Sequence, residues 1–160
     1  MKGSTRQIWK AWIPAIIWLC IITIESSDYL SADHTSRILY PVLHFLLGLD
    51  QVRFSVWHHY IRKTGHFVGY FTLSYLLFRA WRATLPVPGT VRWVMRWGTV
   101  SFLMTVLVAS LDEWHQTFLP SRTGTVRDVI LDSTAALAAQ IVIFVLLRKK
   151  EGRMRAFEAH

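Results

Sequence analysis

Four segments of this 160-residue chain are apolar over lengths that approach or reach the thickness of a lipid bilayer. They lie at about residues 8–25, 65–82, 93–112 and 128–147, and each holds few charged side chains. A helix rises about 1.5 Å per residue, so about 20 such residues cross a hydrocarbon layer of about 30 Å. A soluble domain of this size could not cover so much apolar surface. The pattern therefore predicts an all-α integral membrane protein, a single domain with four transmembrane helices.

A further apolar segment, at about residues 38–49, is too short to cross a bilayer and is interrupted by Pro41. A segment of this length favours a short interfacial or re-entrant helix. The following residues, 51–62, are rich in aromatic side chains and histidine, which is typical of the headgroup level of a membrane.

The positive charge of the chain indicates how it is oriented in the membrane. Of the 18 lysines and arginines, 12 lie in the amino terminus, the 79–96 connection and the carboxyl tail. By the positive-inside rule both termini are cytoplasmic, and most acidic residues then lie toward the outer face. The basic residues flank apolar segments and form no single basic face, so we expect no nucleic-acid partner. The single cysteine, Cys20, excludes a disulfide or a thiolate metal site within one chain.

Acidic and amide side chains end the third apolar segment and begin the fourth. Asp112, Glu113 and Gln116 come at the end of one helix, and Asp128 and Asp132 lie four residues apart at the start of the next. Residues three or four apart share a helix face. Carboxylates at a helix carboxyl end oppose the helix dipole, so we expect Asp112 and Glu113 to have cationic or metal partners elsewhere.

Cationic and aromatic side chains complete this predicted outer-face site. Lys63, His66 and Tyr70 follow one face of the second span, and Arg122 and Arg127 lie between the last two spans. Lysine and arginine can bind phosphate or carboxylate, arginine in a bidentate manner. The predicted substrate-binding residues are Lys63, His66, Tyr70, Asp112, Glu113, Gln116, Arg122, Arg127, Asp128 and Asp132, and the catalytic candidates among them are His66, Asp112 and Glu113. No metal or cofactor is required, although Glu113 and His66 could hold a divalent cation.

Structural roles for the same residues stay open. Thr125 and Asp128 match a capping box at the start of a helix. Lys63 could mark the headgroup region by snorkelling. An ion-pair network that joins three helices would also explain Asp112, Glu113 and Asp132 without any ligand.

Three motifs resemble the VanZ-like family, named for the teicoplanin-resistance protein VanZ. They are Lys63-x-x-His66-Phe67 with Tyr70, then Asp112-Glu113-x-x-Gln116-x-Phe118-x-Pro120-x-Arg122, and Arg127-Asp128-x-x-x-Asp132. The Ser26-Ser27 pair after the first span is also similar to the family. Two positions depart from its pattern, because Ala135 and Ser121 stand where glycine is common. The resemblance implies a multi-pass protein of the bacterial inner membrane, in a family sometimes linked to reduced sensitivity to lipid-bearing glycopeptides.

Three functions are compatible with these residues. The leading hypothesis is a protein that binds or handles an anionic lipid, a lipid-linked cell-wall precursor or a lipoglycopeptide at the outer face. The second is a membrane-embedded enzyme acting on such a lipid phosphate, with His66 as base. The sequence supports this second hypothesis less, because the chain has no His-Glu-x-x-His, Gly-x-Ser-x-Gly or phosphate-loop motif. The third is a structural or assembly protein. The sequence predicts membrane lipids as partners and does not define an oligomeric state.

Overall fold

The described part of the chain is entirely helical. A computed structural model of the protein describes residues 5–27, 32–85, 91–120 and 122–158, and these form five α-helices. The helices are α1 (Thr5–Glu25), α2 (Ala32–Leu47), α3 (Gln51–Thr84), α4 (Val91–Gln116) and α5 (Val126–Glu158). The predicted all-α class is therefore confirmed.

Helix α3 is the centre of the bundle and contacts each of the other four helices. Its buried face carries Tyr70, Leu73 and Leu77, which pack against α1 and against small residues of α4 and α5. The core is thus a layer of large residues on α3 facing short residues on its neighbours.

Small buried residues let α5 approach α3 closely. Ala135, Ala136 and Ala139 have no exposed surface, and the Ser74 hydroxyl donates to the Ala136 carbonyl across 3.1 Å. Gln140 completes the contact by donating to the Ser74 hydroxyl at 2.8 Å. Small residues with interhelical hydrogen bonds are typical of helix packing in membranes. Ala135, where the family pattern has glycine, is accommodated within this core, whereas Ser121 lies outside the described residues.

The short second helix and the start of α3 differ from the predicted boundaries. We predicted a helix at about 38–49, but α2 begins at Ala32 and ends at Leu47, where Gly48 adopts a φ of 62°. Glycine takes this conformation at low cost and ends helices in this way. Asp50 then accepts a hydrogen bond from the Arg53 amide at 2.8 Å and caps α3. The aromatic segment 51–62 is therefore the first third of α3 rather than a separate segment before a span at 65–82.

Two of the five helices are long and apolar enough to cross a membrane, judged by length and composition. They are Thr5–Glu25 and residues Val126–Met154 of α5. In their most apolar 18-residue segments, 17% and 28% of the residues are buried, respectively. Such low burial leaves most of their apolar side chains facing outward. Among the described residues, α3 and α4 contain no segment that meets the same criterion. The other two spans predicted from the sequence are not confirmed.

Candidate functional site

Polar side chains from all four long helices meet at one end of the bundle. The end of α1 and of α4, the middle of α3 and the start of α5 converge there, together with the 122–125 connection. We call this group the polar cluster. Its members are Ser26, Lys63, His66, Tyr70, Asp112, Glu113, Gln116, Arg122, Asp128 and Asp132. The structure thus brings together every predicted site residue except Arg127.

Asp112 joins three helices through one carboxylate oxygen. Its Oδ2 accepts hydrogen bonds from the hydroxyl of Ser26 at 2.7 Å, from the hydroxyl of Tyr70 at 2.9 Å and from the amide of Gln116 at 3.2 Å. The contact with Gln116 confirms the shared helix face predicted from their spacing. These three donors are neutral, and the cationic or metal partner expected for Asp112 stays a prediction. These three hydrogen bonds offset the unfavourable interaction of the Asp112 carboxylate with the dipole at the carboxyl end of its helix.

Glu113 caps the beginning of α5 from the neighbouring helix. Its Oε2 accepts from the Thr125 amide at 2.8 Å, and the Thr125 hydroxyl accepts from the Asp128 amide at 3.2 Å. In the predicted capping box the Asp128 carboxylate would accept from the Thr125 amide, but Glu113 is the acceptor in the structure. The carboxylate therefore sits at the positive end of α5, which stabilises a negative charge. Glu113 is buried, and its other oxygen, Oε1, has no hydrogen-bond partner among the described residues.

His66 and Asp132 form a buried imidazole–carboxylate pair. The His66 Nδ1 and Asp132 Oδ2 atoms are 3.6 Å apart, and Asp132 has no exposed surface. This separation is longer than a hydrogen bond, so the pair is held by charge alone if His66 is protonated. The Tyr70 ring lies beside the imidazole, with centroids 6.3 Å apart and an interplanar angle of 28°.

The basic members of the polar cluster contact the start of α5 and the end of α1. Lys63 forms a direct ion pair with Asp128. Arg122 donates from Nη2 to the carbonyls of Glu25 at 2.5 Å and Ser27 at 2.9 Å. The last carbonyl groups of a helix have no hydrogen-bond partners within the helix, so Arg122 caps the carboxyl end of α1.

Arg127 stands apart from the polar cluster. Its side chain is exposed at the start of α5 and does not line either of the two cavities beside the polar cluster. Although its sequence position is adjacent to Asp128, the helix turns its side chain away from the contacts that Asp128 makes.

Two adjoining cavities open beside the polar cluster. The first, which we call the polar cavity, has a volume of about 430 Å³ and is lined by the basic side chains Arg62, Lys63 and Arg122, with Asp128 as its one carboxylate. The second, the apolar cavity, has a volume of about 410 Å³ and lies between α1, α2 and α3. Its apolar walls are Ile21, Ile24, Leu39 and Ile61. The two cavities share four wall residues, which are His58, Arg62, His66 and Arg122.

Two of these shared wall residues, His58 and Arg62, were missed as site residues. We had assigned His58 to the interface, yet it is buried and its Nε2 lies 3.0 Å from the Thr35 hydroxyl. Burial and the nearby Arg62 cation lower the pKa of His58, which favours its neutral imidazole. Their four-residue spacing from each other and from His66 was the available signal, because it places all three on one face of α3.

The fold and the site together define a small all-helical protein that has two apolar helices able to span a membrane and a buried polar cluster at one end. A model of the VanZ/LLP1 family matches residues 11–148, which is most of the chain. The chain therefore belongs to the VanZ/LLP1 family. No curated protein and no solved structure matches it significantly.

Proposed function

We propose that this protein binds an anionic lipid at the outer face of the bacterial inner membrane, with the headgroup in the polar cavity and the hydrocarbon chain in the apolar cavity. The observation that carries the proposal is the adjacency of the two cavities. Three cations and one carboxylate line the first. The second has aliphatic walls, with Glu25 and the four shared residues at its polar side. A phosphate or carboxylate group attached to a long apolar chain has complementary chemistry.

This proposal includes the topology inferred from the sequence. A single membrane domain with four spans and both termini in the cytoplasm would put the polar cluster on the outer face, since the connections at the opposite end carry most of the basic residues. Helix α2 would then lie in the interface, which is consistent with its exposed Phe45, Leu46 and Leu47. Large apolar side chains on the outer surface of α4, such as Leu103 and Leu107, would face lipid.

Several natural lipids share the required chemistry. Anionic phospholipids, undecaprenyl phosphates, lipid-linked wall precursors and lipoglycopeptides all join an anionic group to a hydrocarbon chain. Membership of the VanZ/LLP1 family adds glycopeptide resistance as the phenotype to examine for this proposal.

Replacing Arg62 with glutamine should weaken binding of a phosphorylated lipid. A charge-assisted hydrogen bond contributes about 1.5–3 kcal/mol, so we expect the dissociation constant to rise about 10-fold or more. The measurement is a titration of fluorescent phosphatidic acid into the full-length protein in phosphatidylcholine nanodiscs. Arg53→Gln is the matched control, because Arg53 is an exposed arginine on the same helix and contacts Asp50.

Parallel titrations identify the source of the anion. Preference for polyprenyl phosphate over phosphatidic acid would indicate a lipid-linked wall precursor, and tight binding of inorganic phosphate alone would show that the hydrocarbon chain is not recognised. Equal affinity for phosphatidic acid and phosphatidylcholine, or equal binding by the Arg62→Gln and Arg53→Gln variants, would contradict the proposal.

A second candidate is an enzyme that acts on the same lipid. It is favoured by His66, which lines the polar cavity and is paired with the buried carboxylate of Asp132. Such a histidine could accept a proton from water, with Asp132 stabilising the imidazolium that forms. Release of inorganic phosphate during the same titrations distinguishes turnover from binding.

The third candidate, a structural protein, makes a clear prediction for the ion pair between α3 and α5. Lys63→Glu and Asp128→Lys should each destabilise the fold by about 1 kcal/mol, since the pair is partly exposed, and the double variant should recover most of the loss. Thermal unfolding in detergent measures all three variants. A purely structural role also requires the double variant to bind lipid like the wild type, whereas a double variant less stable than either single variant would rule out a simple pair.

A further inference from the structure

Three side chains capable of metal coordination meet at the deep end of the polar cluster. His66 comes from α3, Glu113 from α4 and Asp132 from α5, and one ligand atom of each lies within 4.8 Å of the other two. An imidazole with two carboxylates is a common donor set for divalent metal ions. Because each donor comes from a different helix, only the folded bundle assembles the group.

The carboxylate oxygens in this group are not satisfied by the described part of the protein. Both oxygens of Asp132 and the Oε1 atom of Glu113 are buried without a hydrogen-bond partner among the described residues. Buried polar atoms are nearly always paired in native proteins. A protonated His66 could neutralise only one of the two carboxylates. Unpartnered oxygens that converge from two helices therefore point to a bound cation.

Outer contacts hold the three donors in place. The Thr125 amide fixes one oxygen of Glu113 and leaves the other, Oε1, without a hydrogen-bond partner among the described residues. Tyr70 stacks on the ring of His66, and the Tyr70 hydroxyl is itself held by Asp112. Supporting contacts of this kind orient ligands at metal sites.

We propose that His66, Glu113 and Asp132 bind a divalent transition-metal ion of the Zn²⁺ class. Two carboxylates match the charge of a divalent ion, and the imidazole favours a transition metal over Mg²⁺ or Ca²⁺, which prefer oxygen donors alone. Zinc binds nitrogen and oxygen ligands at about 2.0–2.2 Å, so the donors would draw together by about 1 Å on binding.

The position of the metal site relates it to the polar cavity. His66 lines that cavity, whereas Glu113 and Asp132 lie behind it. Three protein ligands would leave a coordination position for water or for an oxygen of the ligand. The metal inference does not rest on the proposed lipid binding, because it concerns residues other than Arg62 and is tested with Zn²⁺ alone.

The test is a calorimetric titration of Zn²⁺ into the full-length protein in detergent, after chelator treatment and removal of any affinity tag. We expect saturable binding of about one ion per chain. Glu113→Gln is the informative variant, because its amide oxygen can still accept from Thr125 while the negative charge is lost. Its affinity should fall by about 100-fold or more, beyond the usual effect of losing an outer-shell contact. His115→Gln removes an exposed imidazole from the same end of α4 and should leave the affinity unchanged.

X-ray absorption at the zinc edge on the loaded wild-type protein gives a second measurement that needs no variant. We expect one imidazole nitrogen, oxygen donors and no sulfur. A shell of oxygen alone or of several imidazoles would overturn the proposal, as would absence of saturable binding or unchanged affinity in Glu113→Gln. If Glu113→Gln does not fold, the spectrum of the wild type decides. Failure here leaves the Arg62→Gln lipid experiment unaffected, so the two proposals can fail separately.

Discussion

Gly124→Ala is expected to destabilise the folded protein by about 3 kcal/mol, because the added methyl group has no space. A Cβ atom at this position would lie 2.0 Å from the carbonyl oxygen of Glu113 and 2.8 Å from the Cγ2 atom of Thr117. The first neighbour is backbone, so no side-chain rotation can relieve the overlap. The connection between α4 and α5 would have to move away from the end of α4.

The displacement should also break the hydrogen bond between the Thr125 amide and Glu113, which neighbours the substituted position. Thermal and denaturant unfolding of the variant in detergent measures the loss. Gly152→Ala is the matched control, since a Cβ there meets nothing within 4 Å and the residue lies inside α5. Alanine favours a helix over glycine by about 1 kcal/mol, so this control should be neutral or slightly stabilising. Equal stability of the two variants would show that the connection does not approach α4 closely.

The role of Gly124 illustrates what the sequence alone does not provide. Glycine in a short connection is common, and nothing local distinguishes this one from a simple turn residue. Glycine is required at this position because the end of α4 lies so close to it, and this closeness is a property of the packed bundle. The sequence placed Gly124 between the last two predicted spans, and the structure adds why this position excludes a side chain.

Helix content and approximate positions were predictable because apolar segments of helical length are a local property of the chain. The continuity of α3 was not predicted. We placed a boundary near Gly65, but this glycine lies inside the helix, where an added Cβ would stand 3.3 Å from the Glu25 Oε1 atom. Gly65 therefore leaves space for the end of α1 to lie close to α3, and it does not break the helix.

Contacts within one helix were predictable and contacts between helices were not. The Asp112–Gln116 pair follows from a four-residue spacing. The partner of Lys63 depends on the rotation and depth of α3 against α5, which no sequence spacing encodes, and it is Asp128. The sequence predicted Glu113 and His66 as possible ligands of one divalent cation, and the structure places Asp132 beside them. The structure supplies the pairing on which the proposals depend.

Asp112→Ala is expected to cost about 4 kcal/mol of folding free energy, because one change removes the acceptor of three donors. Ser26, Tyr70 and Gln116 are all buried, and each donates to the same Oδ2 atom. A buried donor left without a partner costs about 1–3 kcal/mol, and local relaxation or entry of water offsets part of the sum. Unfolding in detergent measures the loss. Asp50→Ala is the control, since Asp50 is an exposed cap whose loss costs about 1 kcal/mol.

A double-mutant cycle with Tyr70→Phe separates the hydrogen bond from the general effect of removing a carboxylate. Tyr70→Phe deletes only the hydroxyl that donates to Asp112 at 2.9 Å and keeps the ring beside His66. In the wild type this change should destabilise by about 1 kcal/mol, but in the Asp112→Ala background it should be neutral or stabilising, because the orphaned hydroxyl is gone. Strictly additive losses would mean that the two residues do not interact. Coupling of the expected sign would identify Asp112 as the residue that joins α1, α3 and α4 and, through Tyr70, holds His66 in the orientation on which the proposed metal site depends.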